Sequence, residues 1–210
     1  MFITIEGSEG SGKSTQFELL ADYLRNRGYD LVTTREPGGT NIGEQVRECL
    51  HDVRNERMTA EAEVLLYSAS RAQLVEEIIG PALAAGRIVL SDRYYDSTLA
   101  YQGYGRQLDL DALVNITTFA TGGLKPDLTL LLEVDIITGL SRREIGGVEM
   151  NRMDLQATAF YERVRRGYQT LVAADPERWV VIDANRSTEM VQDDVRRHVE
   201  DRLLEEGYGN

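Results

Sequence analysis

Apolar residues along the chain follow two different spacings, and the alternation between them predicts strands and helices in turn. Five short segments are rich in β-branched and aliphatic residues, as buried strands are, and they cover residues 2–6, 31–35, 88–92, 128–134 and 179–183. Four longer stretches have helical spacing, at residues 15–27, 60–79, 157–174 and 188–204. Near-continuous apolar strands are typical of a parallel sheet covered on both faces. The pattern therefore predicts an α/β fold, a doubly wound five-stranded parallel sheet with helices on both faces.

One segment of the chain departs from this regular alternation. Residues 141–154 carry three arginines and a glycine pair with weak apolar periodicity, which predicts a mobile surface lid. Elsewhere there are no repeats and no linker-like boundary, so we expect one domain over residues 1–210. Ligands of open α/β sheets bind beyond the carboxyl ends of the strands, and residues that follow each strand are the candidates for chemistry.

The composition adds an acidic charge balance. With 23 basic and 35 acidic residues the net charge is −12, which argues against a nonspecific nucleic-acid binder. The basic residues are 21 arginines and only two lysines, Lys13 and Lys125. We interpret the arginine excess as mainly compositional or as adaptation to high salt, with the alternative that some arginines form an anion site. No apolar run approaches the ~20 residues that span a bilayer, and the single Cys49 fits a reducing compartment. We therefore expect a cytoplasmic protein without membrane association.

A phosphate-binding pattern follows the first predicted strand directly. Residues 7–14 read GSEGSGKS, which matches Gly, four residues, then Gly-Lys-Ser. In such loops backbone N–H groups and a helix N-terminus cradle the phosphates, and the strand-loop-helix context disfavours a plain glycine-rich turn. The predicted nucleoside triphosphate site consists of Gly7, Ser8, Glu9, Gly10, Ser11, Gly12, Lys13, Ser14 and Thr15. Lys13 is expected to bridge the β and γ phosphates, and Ser14 to ligate magnesium.

The residues after the third predicted strand narrow the class of enzyme. A guanine-reading Asn-Lys-x-Asp segment, as in GTPases, is absent from the sequence, and this strand does not end in the adjacent Asp-Glu of many motor ATPases. It ends instead in Asp92 followed by Arg93. Asp92 is suited to hold magnesium through water, and Arg93 to clamp a second phosphate group. This combination indicates a kinase with a phosphorylated acceptor.

Two groups of residues at four-residue spacing suggest an acceptor pocket. If a helix begins at Arg93, then Arg93, Ser97 and Tyr101 share one of its faces. Tyr67 and Arg71 have the same spacing within residues 60–79, and an aromatic ring with a planar donor fork suits a pyrimidine base. The alternative is that Tyr67 lies in the core and Arg71 is a solvated charge.

Taken together, these motifs resemble the thymidylate kinase family. The resemblance covers nearly the whole chain: FITIEGSEGSGKST at the start, TREPGGT at 34–40, SRAQ at 70–73, DRYYDSTLAYQGYGR at 92–106, NRMD at 151–154, ERVRRGY at 162–168 and VVIDA at 180–184. It implies a P-loop NTPase fold and transfer of the γ-phosphoryl group of MgATP to dTMP, giving dTDP on the pathway to dTTP. It also implies a homodimer.

The resemblance implies a dTMP site formed by Arg35, Tyr67, Arg71, Arg93, Ser97, Thr98, Tyr101 and Gln102. Tyr67 stands where the family stacks an aromatic ring, usually Phe, on thymine. Arg71 is expected to donate to a base carbonyl, and Ser97 or Thr98 to lie near the base N3.

The sugar and phosphate contacts are also implied by the resemblance. Arg35 and Arg93 are expected to hold the acceptor 5′-phosphate, and Tyr101 to press on the sugar where a 2′-hydroxyl would project. Glu9 is expected near the 3′-hydroxyl and the magnesium.

The resemblance further implies a bacterial-type branch, in which the lid and not the P-loop supplies the arginine for the transferring phosphate. The loop has Gly10 at that position, and the lid has Arg142, Arg143 and Arg152. The catalytic residues expected on this basis are Lys13, Arg93, Glu9, Arg142, Arg143 and Arg152. The lid reads NRMD where the branch has Asp-Arg-x-Glu, which leaves the order of importance of its arginines open. Asn185 and Arg186 resemble the segment that borders the adenine.

Several alternatives stay open at the level of sequence. The acceptor can be dUMP or another pyrimidine deoxynucleoside monophosphate. A nucleotide-binding regulatory module without transfer is a different class, disfavoured by the presence of Lys13, Ser14, Asp92 and Arg93. An apolar stripe either pairs the subunits or belongs to the core; its members are Val64, Leu65, Ala72, Val75 and Ile79.

Overall fold

The sheet is five-stranded and all-parallel, as predicted. The structure, a computed structural model, describes residues 1–145, 152–153 and 156–208. The strands are β1 (Phe2–Glu6), β2 (Leu31–Arg35), β3 (Ile88–Asp92), β4 (Leu128–Glu133) and β5 (Trp179–Asp183). Their order is β2-β3-β1-β4-β5. In register, Asp92 pairs with Ile5 on one side and with Arg35 on the other, so the ends of three strands meet at one edge.

Helices connect the strands and cover the sheet. They are α1 (Lys13–Asn26), α2 (Asn41–His51), α3 (Ala60–Leu74), α4 (Gly80–Ala84), α5 (Tyr95–Thr98), α6 (Leu110–Thr121), α7 (Ile136–Ile145), α8 (Thr158–Ala174) and α9 (Thr188–Glu205). A 3₁₀ turn covers Val53–Asn55. Two π-helical segments, Val75–Ile79 and Leu99–Gly105, follow α3 and α5. The helical stretch predicted at 60–79 is thus present, with wider turns in its last five residues.

The apolar stripe of α3 is mostly core. Val64 and Ile79 are fully buried in a cluster with Phe2 and Tyr94, and Val75 packs against it. Leu65 is the exception, because 58% of it is exposed. The stripe therefore does not form one surface.

The predicted lid lies largely outside the described residues. Its first residues, 141–145, are helical and belong to α7, which extends to Ile145. Within the parts of the chain that are described, no helix is both long and apolar enough to cross a membrane.

Candidate active site

The phosphate loop is shaped by glycines that no other residue can replace without strain. Gly7 and Gly10 have φ of 147° and 73°, in the region that favours glycine. A Cβ at Gly7 would lie 2.6 Å from the Leu132 carbonyl oxygen. A Cβ at Gly10 would lie 1.9 Å from the Gly139 carbonyl oxygen of α7. The loop is therefore packed directly against the backbone of β4 and α7.

Lys13 begins α1 and folds back over this loop. Its Nζ donates to the carbonyl oxygens of Gly7 at 2.8 Å and Ser8 at 3.1 Å. Burial, with the nearby Arg93 as a second cause, lowers the pKa of Lys13. An anionic ligand at the loop would stabilise the charged form of Lys13.

Two cavities lie on either side of the loop and share Glu9, Lys13 and Ser14 in their walls. The first, of about 680 Å³, is lined by all the other predicted acceptor and metal residues: Arg35, Tyr67, Arg71, Asp92, Arg93, Ser97, Thr98, Tyr101 and Gln102. The second, of about 530 Å³, is lined by Gly10, Ser11, Gly12, Thr15, Arg142 and Arg186 among others. The chain thus has room for two ligands that meet at Lys13.

One end of the first cavity is formed by Arg71. Only 1% of Arg71 is exposed, and its Nη2 lies 2.6 Å from the Glu36 carboxylate, so the solvated-charge alternative is wrong. Nη2 also donates to Thr98 Oγ1 at 3.0 Å. The other terminal nitrogen of Arg71, Nη1, is buried and has no hydrogen-bond partner among the described residues. A buried unpaired donor is costly, and an acceptor on a ligand would satisfy it.

Tyr67 lies in the wall of the same cavity, only partly buried, and not in the core. Burial raises the pKa of its phenol to about 12, so the hydroxyl is neutral. Gln102 also lines the cavity, with its side-chain amide donating to Glu63 at 2.7 Å.

Arg93 forms the other end of the first cavity. The helix predicted to begin at Arg93 begins instead at Tyr95, and Arg93 has a left-handed φ of 71°. The guanidinium still contacts the expected partners: Nη1 donates to Ser97 Oγ at 2.9 Å, and Nη2 to Tyr101 OH at 3.2 Å. Nη2 also donates to Glu9 at 2.8 Å.

The resemblance did not rank the hydroxyls of Ser97 and Thr98, and in the structure they contact different arginines. Ser97 contacts Arg93, whereas Thr98 contacts Arg71. The geometry therefore favours Thr98 as the hydroxyl at the end formed by Arg71.

Of the lid arginines, Arg142 lies beside the phosphate loop. Its Nη1 donates to the Ala184 carbonyl at 2.8 Å, and it lines the second cavity. Arg152 is directed elsewhere: it is buried, 2.5 Å from Glu63, and donates to the Leu50 carbonyl at the end of α2. The expectation that Arg152 faces the phosphates is therefore corrected. The side chain of Arg143 lies outside the described residues.

The two residues of the segment expected near the adenine, Asn185 and Arg186, have different surroundings. Arg186 lines the second cavity, whereas the Asn185 side chain donates to Asp183 at 2.8 Å.

The residues predicted to hold magnesium fit that ion. Asp92 Oδ1 is buried without a hydrogen-bond partner among the described residues, and Ser14 lies in the same cavity wall. No group of three or more His, Cys, Asp or Glu with metal-ligand geometry occurs in the part of the chain that the structure describes. Magnesium bound mainly by phosphates and water needs only one or two protein oxygens.

Glu6 is buried behind Arg93, at the end of β1. Its Oε1 accepts from the Tyr94 N–H at 2.9 Å. Its Oε2 accepts from Ser97 Oγ at 2.6 Å and from Tyr168 OH at 2.8 Å. Burial raises the pKa of Glu6 to about 7, although Arg93 acts in the opposite direction.

Similarity to known proteins identifies the family of this chain. A sequence profile described as thymidylate kinase matches residues 5–195. This chain belongs to the thymidylate kinase family. The thymidylate kinase of Exiguobacterium sp. is 49% identical over 207 residues, covering 99% of this chain and 97% of its own. That of Desulfovibrio desulfuricans is 50% identical over 215 residues, covering 100% of this chain and 99% of its own.

A solved structure extends the comparison to the fold. The crystal structure of thymidylate kinase from Ehrlichia chaffeensis matches this chain with a TM-score of 0.78 and 34% identity, covering 95% of this chain and 98% of that one. The resemblance seen in the sequence is confirmed, and so is the P-loop NTPase fold. Thymidylate kinases are transferases of nucleotide biosynthesis, and the family carries the activity of phosphorylating dTMP.

Two residues at or behind the first cavity, Arg47 and Glu6, were not expected from the sequence. Arg47 of α2 lines the first cavity, and its Nη1 donates to the Pro37 carbonyl at 2.9 Å. Burial and then Arg35 lower the pKa of Arg47, which indicates two neighbouring cations. The sequence predicts Glu6 only as the last residue of a strand. No local pattern separates Arg47 from the other arginines, whereas a carboxylate at the end of a mostly apolar strand is a signal for Glu6.

The raised pKa of Glu6 predicts a pH dependence of stability. The folded kinase binds this proton more tightly than the unfolded chain, whose carboxyl has a pKa of 4.5. Stability from this group is present at low pH and is lost as pH rises from 4.5 to about 7, by roughly 3 kcal/mol. Urea unfolding of the wild type and Glu6→Gln across this range measures it. The wild type should lose stability relative to the variant as pH rises, and parallel curves would refute the expectation.

Proposed function

We propose that this kinase transfers the γ-phosphoryl group of MgATP to dTMP, giving dTDP and ADP on the pathway to dTTP. The observation that carries the proposal is the pair of cavities that share Glu9, Lys13 and Ser14. A donor nucleotide in the second cavity and an acceptor in the first would meet at these residues. The acceptor phosphate is already an anion, so positioning and charge neutralisation carry the catalysis and no general base is needed.

The donor phosphates are proposed to lie on residues 7–15, with Lys13 exchanging its bonds to loop carbonyls for bonds to the β and γ phosphates. Arg142, and Arg143 from the same helix, are the proposed lid arginines. Magnesium, when bound, neutralises charge between the phosphates, and Ser14 and Asp92 would hold it. The unpaired, buried Asp92 Oδ1 supports this assignment.

The acceptor is proposed to lie between Arg71 and Arg93. The unpaired Arg71 Nη1 suits a carbonyl of thymine, and the Tyr67 ring suits stacking on its face. Arg93 and Arg35 are proposed to bind the 5′-phosphate, joined by Arg47. Tyr101 and Glu9, bonded to each other at 3.2 Å, are proposed to border the sugar.

A coupled assay of ADP release tests the reaction. ADP is expected at a high rate only when both ATP and dTMP are present. Equal release without dTMP would indicate a plain ATPase, and binding of both nucleotides without any release would indicate a regulatory module. A panel that adds dUMP and purine monophosphates tests the base, and preferred turnover of a purine would refute the thymine assignment.

We further propose a homodimer that pairs through α2, α3 and α6. These helices pack side by side and carry large exposed apolar side chains: Ile42, Leu65, Leu110 and Val114. We also place the enzyme in the cytoplasm, with no membrane or nucleic acid as a partner; the net charge of −12 argues against binding to nucleic acid.

The Leu65→Glu variant is expected to dissociate this dimer, because a charge would be buried at the interface. Sedimentation equilibrium should then give about 23.6 kDa, against twice that mass for the wild type. Met190→Glu, at an apolar position on α9 of similar exposure (52% against 58%), is the matched control and should remain dimeric. A wild type that sediments as a monomer at assay concentrations would contradict the pairing.

A further inference from the structure

We propose that Glu6 is a positioning residue for the phosphate-binding guanidinium of Arg93, acting through the hydroxyls of Ser97 and Tyr168. The inference rests on the proposed function, in which Arg93 binds the acceptor phosphate. Glu6 itself is fully buried, lines neither cavity and cannot touch a ligand there. Its effect on the reaction must therefore pass through its neighbours.

The two hydroxyls stand between Glu6 and Arg93. Ser97 Oγ donates to Glu6 Oε2 at 2.6 Å and accepts from Arg93 Nη1 at 2.9 Å. Tyr168 OH donates to the same Oε2 at 2.8 Å and accepts from Nη1 at 3.4 Å. A hydroxyl has one proton, so a proton committed to Glu6 leaves only lone pairs to face the guanidinium. The carboxylate thus fixes the direction of both hydroxyls.

Glu6 also supports the backbone at Arg93. The left-handed conformation of Arg93 costs free energy for a residue with a Cβ. It is held by the Arg93 N–H, which donates to Ile5 O at 3.0 Å, and by the next N–H, of Tyr94, which donates to Glu6 Oε1 at 2.9 Å. Both carboxylate oxygens are therefore used to hold one residue, one for its backbone and one for its side chain.

This arrangement directs the other terminal nitrogen of the guanidinium, Nη2, toward the first cavity. Nη1 is occupied by the hydroxyls, and Nη2 contacts Glu9 and Tyr101, both of which line the first cavity. If Nη1 lost its two oriented acceptors, the side chain could rotate and Nη2 would no longer be aimed at one place.

Glu6→Gln tests the inference because it keeps the size of the side chain and replaces one hydrogen-bond acceptor by a donor. An amide nitrogen at the Oε2 position donates where Glu6 accepts, so the hydroxyl protons would turn toward the Arg93 N–H groups. The kcat/KM for dTMP, measured above pH 7, is expected to fall about 10- to 100-fold. The KM for ATP should change by less than about 2-fold.

A double-mutant cycle separates positioning from a purely structural role. In an Arg93→Ala background, Glu6→Gln is expected to change the calorimetric Kd for dTMP by less than about 2-fold, since the group that it positions is gone. A further loss equal to that in the wild-type background would overturn the proposal. Tyr168→Phe, which removes a single hydroxyl, should act in the same direction by about 3- to 10-fold and serves if Glu6→Gln does not fold.

Thr4→Val is the matched control. Thr4 lies on β1 two residues before Glu6, and its hydroxyl bonds only to Thr129 at 2.9 Å among the described contacts. Loss of the Thr4 hydroxyl should lower Tm without changing kcat/KM for dTMP. If the wild type binds no dTMP, the proposed function fails; if it binds dTMP and Glu6→Gln behaves like the wild type, the positioning role alone fails.

Discussion

Replacing Lys13 by alanine is expected to lower kcat for dTMP phosphorylation by roughly 10³-fold or more while the chain stays folded. Among the described contacts, Lys13 is the one basic side chain that donates to backbone carbonyls of the loop of residues 7–12, at 2.8 Å and 3.1 Å. Without Lys13, no lysine neutralises the negative charge that develops on the transferred phosphoryl group. Because burial lowers the pKa of Lys13, its charge is not a source of folding stability.

The measurement is ADP release at saturating ATP and dTMP, together with thermal unfolding by circular dichroism. The sequence offers a matched control, since Lys125 is the only other lysine and is exposed after α6. Lys125→Ala should match the wild type in both measurements. Near-normal turnover of Lys13→Ala would remove the phosphate loop from the mechanism.

Arg93→Ala is expected to lower kcat/KM for dTMP by about 10²- to 10³-fold, with a weaker Kd for dTMP and little change in ATP binding. The reason is that Arg93 is proposed to join the two ligands: Nη2 lies 2.8 Å from Glu9 of the phosphate loop, and the side chain lines the first cavity, where the acceptor is proposed to bind. A neutral side chain leaves Glu9 and the incoming phosphates to repel one another.

Steady-state kinetics with each nucleotide varied in turn measure this effect. Arg87→Ala is the control, because Arg87 precedes β3 at its opposite end, and among the described residues its side chain pairs with the surface residue Asp30, at 2.8 Å. It should leave kcat and both KM values unchanged. An Arg93→Ala enzyme that loses ATP affinity instead would place Arg93 on the donor side.

Strands and glycine-rich turns were predictable because local chemistry determines them. The central strands β1, β3 and β4 are mostly apolar and buried almost throughout, and the ends of all five strands agree with the sequence to within one residue. The phosphate loop follows from its glycines, whose backbone angles few other residues adopt. The residues that the sequence suggested for an acceptor pocket also line one cavity, and they include Tyr67, Arg71, Arg93 and Tyr101.

Other features depend on tertiary partners that no local pattern reveals. The burial of Arg71 requires Glu36 from another element, and that of Arg152 requires Glu63. The helix predicted to begin at Arg93 is delayed to Tyr95 because the Arg93 N–H bonds to Ile5 of the neighbouring strand. Ser97 and Tyr101 still contact Arg93, as the four-residue spacing predicted, because the long Arg93 side chain extends back along the turn.

The contact between Gly10 and Gly139 has an evolutionary consequence. A side chain at position 10 would collide with the backbone of α7 at 1.9 Å, and one at position 139 would meet the Glu9 carbonyl at 2.7 Å. A mutant with arginine in the loop would therefore have to displace the helix that carries Arg142, and with it the arginine already present. A single substitution that adds an arginine to the loop is therefore expected to disturb the lid arginine, which favours retention of the lid arginine in this chain.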